Sequence, residues 1–265
     1  MHGRMLAIHR DASYCLTLAN HHKWDCKQEF EELTAKVAML LAEPPRDTLY
    51  SYTIRNPPTM LRTFTATPDE KVFISSVSES VHSLYLAVIS ALSSLCHVIS
   101  IESALRSVKE ALSRVSSAIV VALNKVGAEI FVFAMQPWFE RYKIGSEIWH
   151  GPSASQMPLV ALESLIYGQD MPSRLREHVQ FQQKYLPKPL RSICSAMHEC
   201  QILDFWRGDK TGLREVAKGL LRVRLSHLVL AERAFALQPE ASEFARSLLN
   251  ELIQETRVFF RNTGK

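Results

Sequence analysis

Four groups of residues in this chain have types and spacings that can do chemistry. The first is His227, in "RVRLSHLVLAERAF". Read as a helix, this stretch places Leu220, Val223, Leu230, Ala231 and Ala234 on the side of His227, at three- and four-residue spacings. Lys218, Arg222, Glu232 and Arg233 fall opposite. The imidazole therefore points into apolar core. A ring in that position either hydrogen-bonds a carbonyl, as a packing residue, or ligates a metal. A single neutral imidazole with no second ligand nearby suits the axial position of a haem iron. It does not suit zinc, which takes three or four protein ligands. Arg224, one turn earlier at the edge of the same face, is placed to pair with a haem propionate.

The second is His82, in "ESVHSLYLA". Leu86, Ile89, Ser93 and Cys96 continue its face, so the spacing predicts another buried histidine, with Tyr85 near the same side. It is either a satisfied core residue or an acid–base group, since an unperturbed pKa of about 6.5 lets it take and return a proton. The third is "HGPSASQMPL", where Gly151 and Pro152 force a turn, Ser153 is a natural N-cap and Gln156 completes a capping box. Such a helix start favours a carboxylate, with an ordinary cap as the alternative. The fourth, "WFERYKIGSEIWH", clusters Trp138, Phe139, Tyr142 and Trp149 with Arg141 and Lys143. It reads as an aromatic pocket with cations for a carboxylate, or as a loop packed on the core. The spacing of His22 and Cys26 in "HHKWDC" reads as chance.

Helices must position these groups. Residues 1–70 read as irregular apart from one helix at about 27–42, with Pro44, Pro45, Pro57, Pro58 and Pro68 interrupting the chain beyond it. Two long helical patterns come next, over 71–98 and 101–126, the second closed by Gly127. The segment 128–152 is ambiguous: its aromatic density allows a strand, while the family resemblance described below favours a short helix and a loop. Further helices are predicted over 153–167, 172–185, 188–199, 211–236 and 239–261, with prolines at the breaks. The fold class is all-α: an irregular N-terminal segment with one helix, 1–70, and a main helical domain, 71–265.

Composition narrows the partners. The chain has 265 residues, 47% of them hydrophobic, enough for a substantial core. Net charge is +4 and the basic residues are scattered, which argues against nucleic acid. Five cysteines with no CxxC point to neither a zinc ribbon nor a disulfide framework, and fit a cytoplasmic setting. The N-terminus lacks the apolar core of a signal peptide. Val81 to Ile99 carries no Asp, Glu, Lys or Arg, but its four serines and two histidines favour a buried core helix over a membrane span. The pattern leaves a homodimer open.

The ordered series "GPSASQ", "KYLPKPLRSICSAM", "GDKTGLRE" and "RLSHL" resembles the haem-dependent aromatic oxygenase superfamily of tryptophan and indoleamine 2,3-dioxygenases. The resemblance covers about residues 71 to 236. It implies a helical bundle enclosing haem b, with His227 as the proximal ligand, Arg224 on a propionate, Ser153 lining the distal pocket and His82 as the distal acid–base group. The dioxygenases carry an arginine for the substrate carboxylate where this chain has Met135 or Gln136. Ser153, Arg141 or Lys143 would then hold the carboxylate, with Tyr85 near the substrate. The short chain looks more like the bacterial secondary-metabolism members. These are the tyrosine 3-hydroxylases and the pyrrolnitrin-pathway enzyme that remodels chlorotryptophan. The resemblance implies oxidation of an aromatic amino acid by hydrogen peroxide or dioxygen in antibiotic biosynthesis. His82 and the compact size favour L-tyrosine to L-DOPA with peroxide. A tryptophan derivative is the alternative, and a haem-free helical interaction protein is the reading from another class.

Overall fold

The computed structural model describes residues 2–151, 157–196 and 202–263. The architecture is all-α, as the periodicity predicts. Helix α1 spans His2–His22, α2 Lys27–Leu41 and α3 Leu49–Tyr52. The long helices α4 (Pro68–Leu95) and α5 (Ile101–Lys125) pack along each other, α10 (Lys210–Ala234) lies on α5, and α11 (Pro239–Thr263) lies on α10. The shorter helices α6 (Leu159–Tyr167), α7 (Ser173–Gln183), α8 (Lys188–Ala196) and α9 (Ile202–Trp206) close the core, with α6 against α4, α7, α8 and α9.

Local signals set the helix ends. Thr67 caps α4 by accepting from the Glu70 amide, with Pro68 in the first turn; Ser100 caps α5 and Asp209 caps α10 in the same way. Packing then fixes the faces. On α5, Val108, Leu112 and Val115 are sealed in one row, and full burial of each such side chain contributes about 1.5 to 3 kcal/mol. Gly219 lets α10 approach that row: a Cβ there would stand 2.9 Å from Leu112 Cδ1. This close contact seats the helix that carries His227.

Residues 1–70 are not irregular. α1 buries Leu16 and Ala19 completely, Tyr50 of α3 joins the main core, and Tyr52 joins a second aromatic cluster with Ile74, Met135 and Phe139. A buried polar network ties these pieces together. Thr17 Oγ1 donates to Asp47 Oδ2 at 2.8 Å, Ser51 Oγ donates to Asp47 Oδ1 at 3.2 Å, and Thr48 and Ser51 form a capping box on α3. Burial pushes the Asp47 carboxyl up to about 6, against the pull of Thr17 and the Arg46 charge. A carboxyl raised in the folded state contributes stability that is full below its unfolded pKa of about 4 and is lost as pH rises through about 6. Asp47→Asn is therefore expected to flatten the fall in Tm between pH 4 and 7, removing on the order of 3 kcal/mol of pH-dependent stability.

The stretch expected as a short helix and a loop is a wide π-helical turn (Ile130–Met135), a 3-10 turn (Gln136–Phe139) and a hairpin. Strands β1 (Tyr142–Ile144) and β2 (Glu147–Trp149) pair antiparallel, Tyr142 opposite Trp149. Gly145, at φ +60°, makes the turn between them. Helix α4 is long and apolar enough to cross a membrane by composition, but half of that window is buried inside the protein against its neighbours.

Candidate functional site

His227 lies on α10 in the row that buries Val216, Leu220, Val223 and Ala231. Burial, and then the charge of Arg224, hold its pKa down at about 4. The ring is nevertheless only partly covered. It sits deep enough for desolvation to dominate its titration, yet its surface is not sealed among aliphatic groups. At neutral pH it is an uncharged imidazole, the form that ligates iron.

A second histidine, which the spacing does not single out, stands near it. His178, on α7, is half-buried, and its pKa is also pushed down to about 4. Burial is the main cause, followed by the charges of Arg224, His227 and Arg174. His178 is thus within electrostatic reach of both His227 and Arg224. Its own helix buries Leu175, Val179 and Gln182 amid exposed charged residues, so its one signal in the sequence is an imidazole beside that short buried row.

Arg224 is buried, and its partner is a protein carboxylate. Its Nη2 donates to Glu163 Oε1 of α6, and both side chains are sealed from solvent. Burial raises the Glu163 pKa while Arg224 opposes the rise. This guanidinium serves an internal ion pair through Nη2, and its Nε has no partner among the described residues.

The expectation for His82 is corrected. It is exposed, as are Leu86, Ile89 and Cys96 of the face read as buried. The inward row of α4 is Val77, Val81, Leu84, Val88 and Ala91, with Ser80 and Ser83 beside it. Small serines pack inside as readily as leucines stand outside, so apolar spacing alone does not choose the face. His82→Phe is expected to leave haem content unchanged and turnover within about twofold, the size of an ordinary surface substitution. Parallel spectra and rate measurements on the two proteins check this.

Tyr85 is half-buried. It meets Tyr50 edge to face, with ring centroids 6.0 Å apart, and burial raises its phenol to about 12. Arg141 and Lys143 are not sealed in the core: Lys143 lies on β1 between the inward Tyr142 and Ile144, and Arg141 borders a cleft of about 200 Å³ with Thr17, Asn20, His21, Trp138 and Tyr142. Ser153 and the S-A-S-Q capping box lie outside the described residues, and the described helix begins at Leu159. Met135 is sealed in the aromatic cluster, and Gln136 Nε2 donates to Gln238 Oε1 beyond the end of α10. The structure therefore gathers His227, Arg224, Glu163 and His178 in one region. His82 stands outside it, on the exposed face of α4.

Over residues 24–200, well over half of the chain, the sequence matches the family model described as monodechloroaminopyrrolnitrin synthase PrnB. The chain belongs to this family. PrnB-family enzymes are haem-dependent oxidoreductases, and the all-α fold is theirs as well. The match ends before α10, so PrnB membership and the placement of His227 rest on different parts of the chain.

His227 is a donor of the right kind for a haem iron: a partly uncovered imidazole beside the buried Val223 and Ala231. Among the described residues no three His, Cys, Asp or Glu side chains group to hold a lone metal ion. His227 is the residue that would hold the iron.

Proposed function

We propose that this chain is a haem-dependent oxidoreductase that oxidises and remodels a tryptophan-derived amino acid in secondary metabolism. The observation that carries the cofactor is His227, deep, neutral and unsealed on α10. The substrate class follows from membership of the PrnB family. Hydroxylation of L-tyrosine to L-DOPA with hydrogen peroxide draws its support from the compact size of the chain and, for its chemistry, from His82 as a proton shuttle. The exposure of His82 weakens the second of these, so the tyrosine reaction becomes the competing outcome of a substrate comparison.

Haem b, when bound, supplies the iron that activates dioxygen or peroxide toward an aromatic ring. The protein supplies binding, orientation and electrostatics. His227 offers a nitrogen that stays unprotonated at neutral pH because burial and the Arg224 charge both oppose its protonation. Glu163 balances Arg224, so that this charge is held in place without being left unpaired in the core. Phe73 packs on both Phe131 and Phe139, and Phe131 also meets Phe235 at the end of α10. This aromatic cluster reaches the end of the helix that carries His227.

The deciding experiment loads the protein with haem and offers L-tryptophan, a chlorotryptophan and L-tyrosine. Each substrate is tested with dioxygen plus reductant and with peroxide, and products are read by mass. Conversion of a tryptophan substrate is the expected result. Conversion of tyrosine alone, with gain of one oxygen atom, would transfer the assignment to the hydroxylases. A colourless protein that takes up no haem would leave the helical interaction protein.

A further inference from the structure

Arg46 follows Pro44 and Pro45 in the connection between α2 and α3. No part of it reaches solvent. Its guanidinium lies over the Tyr142 ring, 4.1 Å from the centroid. One nitrogen is fully engaged: Nη1 donates to the Glu140 carbonyl at 3.0 Å and to the Trp149 carbonyl at 2.9 Å. The other edge is different. Nε and Nη2 are both buried and have no hydrogen-bond partner among the described residues. The neighbouring carboxylate does not serve them, because Asp47 is bonded to Thr17 and Ser51.

The identity of the unmet atoms matters. Nε and Nη2 carry the two parallel N–H bonds of the guanidinium fork, which match the two oxygens of one carboxylate. A buried guanidinium cannot escape its charge by losing a proton, so unmet donors there are costly. Gly151 stands directly against this edge. A Cβ on it would fall 2.7 Å from Arg46 Nη2 and 2.5 Å from the Phe139 carbonyl oxygen. Glycine keeps any side chain off the fork, at the start of the "GPSASQ" segment.

Among the described residues no other arginine leaves both Nε and Nη2 buried and unmet. Arg224 has Glu163, Arg141 and Lys143 sit toward solvent, and the 130–136 turn offers Met135 and a Gln136 already bonded to Gln238. We propose that the Nε–Nη2 edge of Arg46, beside Gly151, receives a carboxylate, either that of the amino-acid substrate or a haem propionate. This rests on the haem-dependent amino-acid reading of the chain. It makes Arg46 a binding residue for that site.

The test compares carboxylates with close analogues that lack them. In the haem-loaded protein, L-tryptophan and L-tyrosine are titrated against tryptamine and tyramine, read by the Soret perturbation. In the haem-free protein, haemin is titrated against its dimethyl ester. The carboxylate form is expected to bind about tenfold to a hundredfold more tightly in one of the two arms, the span of a charge-assisted bidentate contact. The arm that shows the difference names the source. In Arg46→Lys and Arg46→Gln, checked for native helicity, that preference should fall to about threefold or less as the fork is lost. A wild-type measurement covers the case in which neither variant folds. A protected arginine Nε–H resonance should shift with the preferred carboxylate and not with its analogue. The proposal is overturned by equal binding of acid and analogue in both arms, by a preference that survives both variants, or by the absence of any such shift. If those results accompany normal product formation, the haem-dependent reading stands without it. If neither haem nor amino acid binds, both fall together.

Discussion

Replacing His227 with alanine is expected to abolish the histidine-ligated Soret band and to reduce turnover by more than about a hundredfold, the loss that even an outer partner of a ligating histidine can cause. The substitution should leave the fold intact. The ring is only partly covered, and the row around it keeps Leu220, Val223 and Ala231. The comparison therefore needs thermal unfolding alongside spectra. A His227→Ala protein that unfolds normally and still shows five-coordinate histidine ligation would end the assignment of this residue. Adding imidazole to the variant sharpens the result, because a free ring entering the space left by the side chain should restore part of the spectrum.

The second large effect concerns the ion pair beside it. Glu163→Leu is expected to destabilise the protein by about 3 to 5 kcal/mol, because it leaves a buried guanidinium with no counter-charge. That is a large share of the roughly 5 to 15 kcal/mol by which domains are stable. Arg224→Met should cost less and depend on pH. The Glu163 left behind can accept a proton, which its burial already favours, whereas arginine cannot lose one. The Arg224→Met protein should therefore lose more stability at pH 8 than at pH 5. Exchanging both residues for apolar ones of similar volume should recover most of the loss. Melting temperatures of the two single variants and the double variant at both pH values give the answer. Equal losses for the two single variants, independent of pH, would show that packing rather than charge governs the pair.

Much of this architecture is legible in the sequence because long amphipathic helices repeat one pattern many times. α5 shows it best, with buried residues recurring from Ala104 to Ala122 at three- and four-residue intervals. α10 is as clear, and His227 sits on the side the spacing predicts. α4 is recognisable as a helix, but its spacing points to the wrong face. It carries two apolar rows, and the one that faces inward is lined with serines that a hydropathy reading discounts. α1 escapes notice, although Ala12, Leu16 and Ala19 are spaced as a buried stripe, because the histidines and polar residues around them dilute the signal. Two features leave almost no trace. His178 lies among charged neighbours, and the "PPRDT" stretch around Arg46 reads as a polar connection. Only tertiary packing buries that arginine under Tyr142 and the hairpin.

Glu70 links the first quarter of the chain to the rest. This sealed carboxylate accepts from the Tyr52 hydroxyl at 2.7 Å, from the Phe64 and Thr65 amides, and from the Thr65 hydroxyl, all from its place in the first turn of α4. Trimming the chain before α4 would strip four donors from one buried anion and uncover Tyr52's cluster in the same cut. The leader is thus no detachable arm: an expression fragment beginning near residue 70 would start from an exposed aromatic floor and a stranded charge, and aggregation is the fate such surfaces invite.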